Sequence, residues 1–309
     1  MQTRLCNCAL IIAVALTFSG CSNAAKLVSS TAGGSTGASG ELKVGTNTQV
    51  FNLDAAAANA AQGPYTGTFA ANCSGSSTWY DLNKLLNGTL SSFTDCGNSD
   101  GWVGSGTSTN PYALLFTGAE RVTASMTGLP SGTTSKSFSM WIKTDQAWSN
   151  DAAIYEGGTE VENENIVLGI SNSGYSLNTG SSPYISQWGD LVYADVTGYG
   201  NGDPEGNTVN SVVSDGNWHY LVYVYDHEAS DLYSIYLDGQ TLVASGTMTT
   251  NTQLSSKMTL GGCATSACGG TSYVGYLATF GIYNYAMSPA DAVAACELNV
   301  ARFSGASCH

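Results

Sequence analysis

Positive charge is what this chain has least of. Lys and Arg together number 9 against 23 Asp and Glu, for a formal net charge of −14. Removing the first twenty residues takes away one basic residue, Arg4, and no acidic one, which deepens the charge to −15. A surface this acidic repels phosphate backbones and anionic lipid head groups. Nucleic acid is therefore excluded as a partner, and any membrane attachment has to come from something other than charge. Proline is scarce (6) and histidine scarcer (3). The Ser-His-Asp order of a nucleophilic hydrolase, a phosphate-cradling loop and a dinucleotide fingerprint are all missing.

What the chain does have is glycine (37) and tyrosine (17), which suits many short strands joined by tight turns. The most informative stretch is Ser211 to Gly246. There Trp218, Tyr220, Val222 and Val224 alternate with Leu221, Tyr223 and Tyr225, so both faces of one strand are apolar and the strand is expected to lie between layers. A polar connection, 226–231, leads to a second strand, YSIYLD. Asp238-Gly239 then supplies the positive φ angles of a two-residue hairpin turn before the return strand LVASG.

Asp215-Gly216-Asn217-Trp218-His219, followed by that strand and by Tyr236-Leu237-Asp238-Gly239, resembles the laminin-G-like domains of the concanavalin A-like superfamily. ALLFTGAERVTAS (113–125), SFSMWIKT (137–144), MTLGG (258–262) and GYLATFGIYNYAMSPADAVAAC (275–296) are similar to other strands and the closing helix of that family, in its order. DLNKLLNGTL (81–90) is similar to its first segment, without the glycines usual before Asn87-Gly88. The resemblance implies an all-β fold, a two-sheet antiparallel jelly-roll sandwich with a short C-terminal helix. It leaves function open, because that fold carries binding modules, structural modules and hydrolases.

The first twenty residues read as an export address. Arg4 precedes a ten-residue, largely apolar stretch, Ala9 to Phe18, too short to span a bilayer, which takes about 20 residues. Phe18-Ser19-Gly20-Cys21 resembles the bacterial lipobox, which implies cleavage before Cys21 and acylation of its thiol; Ser22 favours the outer membrane. Residues 21–62, rich in Ala, Gly, Ser and Thr, read as a flexible tether. Residues 63–303 read as the jelly-roll domain and 304–309 as a C-terminal tail. Within the tether, 50–61 is the one segment with the makings of a strand or helical turn.

Beyond Cys6, Cys8 and Cys21, six cysteines remain, an even number in an exported chain. Proximity favours Cys73–Cys96, Cys263–Cys268 and Cys296–Cys308 over zinc ligation.

Three candidate sites follow. Glu160, Glu162 and Glu164 would share a face if they lay on a strand. Laminarinase-like glycosidases, which share the fold, carry a comparable acidic strand. That resemblance would make Glu160 the nucleophile, Glu164 the acid/base and Glu162 their support, at the carboxyl spacing of about 5–5.5 Å that retention requires. The competing reading is a solvated acidic turn. A calcium ion suits the oxygen-rich loop 198–208 through Asp203 and Glu205, with Asp190 and Asp195 approaching from the preceding segment. Trp188, Tyr184 and Tyr199, in Gly/Ser-rich surroundings, would offer a stacking platform for sugar rings. Trp141 and Trp218 are expected in the core, and His219 in a structural role. The combined expectation is a non-catalytic, lipid-anchored envelope module that recognises a carbohydrate or a surface protein. A laminarinase-like hydrolase and a passive adhesion protein are the alternatives.

Overall fold

The structure is a computed structural model, and it describes residues 43–44, 47–65, 77–94, 99–146, 152–159, 164–172, 190–195, 213–247, 250–253, 257–263 and 271–309. The first strands are β1 (Lys43–Val44), β2 (Asn47–Asp54), β3 (Thr78–Trp79), β4 (Gly88–Ser91), β5 (Gly101–Val103) and β6 (Ala113–Thr117). Next come β7 (Arg121–Ser125), β8 (Lys136–Lys143), β9 (Ala152–Gly158), β10 (Asn165–Asn172) and β11 (Asp190–Asp195). The last are β12 (Trp218–Asp226), β13 (Leu232–Leu237), β14 (Thr241–Thr247), β15 (Lys257–Leu260), β16 (Thr271–Ser272) and β17 (Val274–Tyr283), followed by helix α1 (Pro289–Glu297).

Two sheets stack face to face. One runs β1-β2-β17-β8-β12-β13-β14, with β6 beside the first half of β17 and β5 beside β6; the other runs β11-β10-β9-β15-β7-β4-β3. Strand pairs are antiparallel except for the short β16, which lies parallel to β9. The interior between the sheets takes Phe51, Phe138, Met140, Leu221, Tyr223 and Phe280 from the first sheet and Val122, Ile154, Ile166, Leu168, Met258 and Leu260 from the second.

Strand β12 shows why both of its faces had to be apolar. Leu221, Tyr223 and Tyr225 enter the intersheet core, while Trp218, Tyr220, Val222 and Val224 enter a second cluster on the opposite face. That second cluster is roofed by α1 and the chain after it. Phe303 stacks on Trp141 at 4.3 Å and tilts against Trp218 at 4.8 Å between ring centroids. Ser288 and Asp291 form a reciprocal capping box at the start of α1, with Pro289 in the first turn where its missing N–H costs nothing. A disulfide between Cys296 and Cys308 ties the tail back to the helix.

Two expectations need correction. Residues 47–54 are not tether: β2 lies inside the first sheet against β17, with Phe51 and Leu53 fully buried. Alternation of Phe51, Asn52, Leu53 and Asp54 is a strand pattern that bulk composition conceals. Asp54, 1% exposed, also takes a bidentate ion pair from Arg302 at 2.8 Å on each oxygen. The β13–β14 turn has three residues rather than two, because Leu237 pairs with Thr241. Asp238 (φ 50°) and Gly239 (φ 104°) do take the left-handed conformation. The extra residue, Gln240, donates its N–H to the carbonyl of His309, and the Asp238 carbonyl accepts from His309 N.

Segment 113–125 splits between sheets, β6 in the first and β7 in the second. The crossing turn is held by the buried Glu120 carboxylate, which accepts from the N–H groups of Thr117, Gly118 and Ala119.

Candidate ligand-binding face

The two sheets differ on their outer sides. The first is covered by α1 and its apolar cluster. The second presents polar residues, because β4 and β7 alternate strictly: Leu90, Val122 and Ala124 point in, and Thr89, Ser91, Arg121, Thr123 and Ser125 point out. Cross-strand register lines up one outward row: Thr89 opposite Thr123, Thr123 opposite Thr259, Thr259 opposite Glu156, and Glu156 opposite Val167.

The middle of that row is deeply buried although it belongs to the outer side. Thr259 is 1% exposed, Glu156 2% and Asn165 0%. Asn165 donates from Nδ2 to Glu156 Oε1 at 3.0 Å. Asn165 Oδ1 and Thr259 Oγ1 have no hydrogen-bond partner among the described residues, as is also true of Trp141 Nε1, Tyr155 Oη and four other buried side-chain atoms.

Arg121 borders the row. Its Nη1 donates to the carbonyls of Glu120 (2.7 Å) and Gly261 (3.1 Å), and its Nη2 to Ser272 Oγ (2.6 Å). Burial lowers the guanidinium pKa, and the nearby charges of Glu120 and Glu156 oppose that shift. The MTLGG motif makes room for it: a Cβ on Gly262 would lie 2.5 Å from the guanidinium carbon. Cys263 packs on Ala153 and Val167 of the same face and is itself disulfide-bonded, to a partner outside the described residues. Donors from Arg121 and Thr259 and acceptors from Glu156 and Asn165 thus meet on one sheet face.

The residues singled out from sequence fare unevenly. Strand β9 ends at Gly158 and β10 starts at Asn165, so Glu164 lies in the connection between them and not on a strand with Glu160 and Glu162. It accepts a hydrogen bond at Oε2 from the Thr159 hydroxyl. Asp190 and Asp195 stand at opposite ends of the six-residue β11. Glu160, Glu162, Asp203, Glu205, Tyr184, Trp188, Tyr199, Cys21, Cys73, Cys96 and Cys268 lie outside the described residues. Cys296 and Cys308 are paired as proximity suggested.

His219 is structural. Its Nδ1 meets Asp238 Oδ2 at 2.9 Å and its Nε2 meets Asp215 Oδ1 at 3.1 Å. Trp141 is fully buried and Trp218 nearly so. Glu156, Asn165 and Thr259 were not singled out from sequence. The available signal was a lone acid within the apolar strand AAIYEGG.

A family model described as the concanavalin A-like lectin/glucanases superfamily matches residues 116–292, more than half of the chain. The chain belongs to that superfamily. No curated protein sequence matches it. Solved structures similar to it include domain 4 of an extracellular arabinanase from Geobacillus stearothermophilus in complex with arabinotriose. That match has 17% identity and a TM-score of 0.43, over 71% of this chain and 91% of that one. The binding domain of botulinum neurotoxin serotype D matches at 11% identity and TM-score 0.44, over 81% of this chain and 50% of its own. A Trypanosoma rangeli sialidase matches at 11% and 0.47, over 83% of this chain and 33% of its own. At these identities the likeness is one of fold.

Proposed function

We propose that this protein is a non-catalytic carbohydrate-binding module, held on the bacterial envelope by an acyl chain on Cys21. The observation that carries the binding reading is the polar outer row of the second sheet, which runs from the accessible Thr89 and Thr123 to the buried Thr259 and Glu156. Sugar hydroxyls would bond along that row from Thr89 and Thr123 toward Thr259, with Arg121 as a further polar partner. Membership of a superfamily of lectins and glucanases supports this reading. The anchor rests on the Phe18-Ser19-Gly20-Cys21 motif, and placement in the outer membrane on Ser22. Calcium stays in the proposal through Asp203 and Glu205, with Asp190 and Asp195 approaching from the preceding segment.

The test incubates residues 22–309 with a panel of neutral polysaccharides, with and without calcium, and scores depletion and new reducing ends together. Depletion without sugar release, lost in Thr259→Val, is the expected result. New reducing ends that vanish in Glu156→Gln or Glu164→Gln would overturn it in favour of a hydrolase. Depletion that depends on calcium would place the ion in the ligand contact. Absence of both signals would leave an envelope protein as the partner.

A further inference from the structure

A groove with room for about 420 Å3 runs between the turn 59–62, after β2, and the loop 80–87 that joins β3 to β4. That volume lies in the range of small-molecule sites, about 300–1,000 Å3. Each wall is built around one polar side chain devoted to backbone. On one wall the Asp81 carboxylate, 3% exposed, accepts from the N–H groups of Asn52, Asn83, Leu85 and Leu86. On the other, Asn59 Oδ1 accepts from Ala61 N and Gly63 N, and Nδ2 donates to the Pro64 carbonyl. These walls hold Gln62 (φ 61°) and Lys84 (φ 59°), one on each side, in the left-handed region. Non-glycine residues stay there only where their surroundings impose it, and such imposition clusters at ligand sites.

The chemistry left over for a ligand is specific. With so many wall N–H groups engaged by Asp81 and Asn59, recognition has to go through side chains, which disfavours an extended peptide. Tyr80 and the exposed Leu85 supply apolar surface, and Gln62 an amide. Asn87 accepts from Asp81 N at Oδ1, which leaves its amide nitrogen to donate. Lys84 takes part in none of the ion pairs among the described residues. Among the residues that line the groove Lys84 is the one cation, and Asp81, the one acid, is engaged by backbone N–H groups.

We propose that this groove is a second binding site, for an acidic sugar residue. The ring would lie against Tyr80 and Leu85, its hydroxyls on Gln62 and Asn87, and its carboxylate on Lys84. The site shares no residue with the sheet face around Glu156 and does not rest on that face's role.

Titration calorimetry of the full-length protein in detergent, with trigalacturonate and its fully methyl-esterified counterpart, tests the assignment. The free acid should bind roughly tenfold more tightly than the ester, as expected for one charge-assisted contact, and should weaken with salt. Lys84→Gln should bring the acid down to the level of the ester, Lys84→Arg should restore the difference, and Lys143→Gln, which removes a positive charge outside the groove, should leave both unchanged. Equal affinity for acid and ester, or undiminished acid binding by Lys84→Gln, overturns the proposal. Loss in Thr259→Val with Lys84→Gln intact overturns it and moves the ligand to the sheet face. No binding at all also overturns it, and leaves the neutral-polysaccharide reading standing on its own test.

Discussion

Two buried cations respond to pH in opposite directions. Burial pulls the His219 imidazole down, but hydrogen bonds and charge from Asp238 and Asp215 outweigh it, and its pKa rises above the ordinary value. The stability this gives is complete below the unfolded histidine pKa, about 6.5, and is lost as pH climbs through the raised folded value. Lys136 is fully buried and donates to the Gly132 carbonyl and Thr252 Oγ1, with the Tyr225 ring 5.6 Å away. Desolvation drops its pKa to about 7. Between that value and about 10.5 the unfolded chain holds a proton that the folded one does not, so this group makes stability rise with pH. Urea midpoints should show it: Lys136→Met flattens the rise between pH 7 and 10, and His219→Gln removes the fall above pH 6.5. A Lys136→Met profile with the wild-type slope would contradict the shift. Lys84→Gly relieves a left-handed residue at the entropic cost of glycine, so it should be neutral or stabilising by about 1 kcal/mol in thermal melts.

Among the elements, α1 and its tail act as one roof over Trp141 and Trp218. Cys296 and Cys308 are 12 residues apart, and closing a loop of that size is worth about 3 kcal/mol in the chain-entropy model. The double substitution to serine should lose up to that much, with hydrogen exchange accelerated first at Gln240 and His309, whose backbone groups pair across the tail. Uniform acceleration over both sheets would mean that the roof is not a separate unit. This scale was also the most readable from sequence. The two-faced apolar pattern of β12 announced a strand covered on both sides, and the resemblance carried by 275–296 implied the short closing helix. β2 was only half read: 50–61 had the makings of a strand or helical turn, but its Ala-, Gly- and Thr-rich surroundings left it in the tether. Glu156, Asn165 and Thr259 could not be read, because they sit on β9, β10 and β15 and meet only through strand register.

For the whole molecule, the exported and lipid-anchored reading makes two further demands. Cys21→Ser protein should stay out of the detergent phase; partition into it after processing would sink the anchor. Thiol titration of denatured, unreduced mature protein should find none of the six domain cysteines free, whereas about six free thiols would dismiss the disulfide framework. The groove beside Lys84 escaped sequence reading because one wall follows β2 directly and the other is tied to it through Asp81 and Asn83, and the place of that strand in the sheet was not foreseen.

The ion pair between Asp54 and Arg302 joins residues 248 positions apart, and β2 rests on β17, near the other end of the domain. β2 therefore has no strand partner beyond the two-residue β1 until almost all of the chain is available. Folding dominated by such distant pairings is slow, on the order of milliseconds to seconds. A chain threaded across a membrane from its N-terminus would thus travel without a finished first sheet, and the sandwich would close in one late step, when β17 arrives to hold β2 and β8 together.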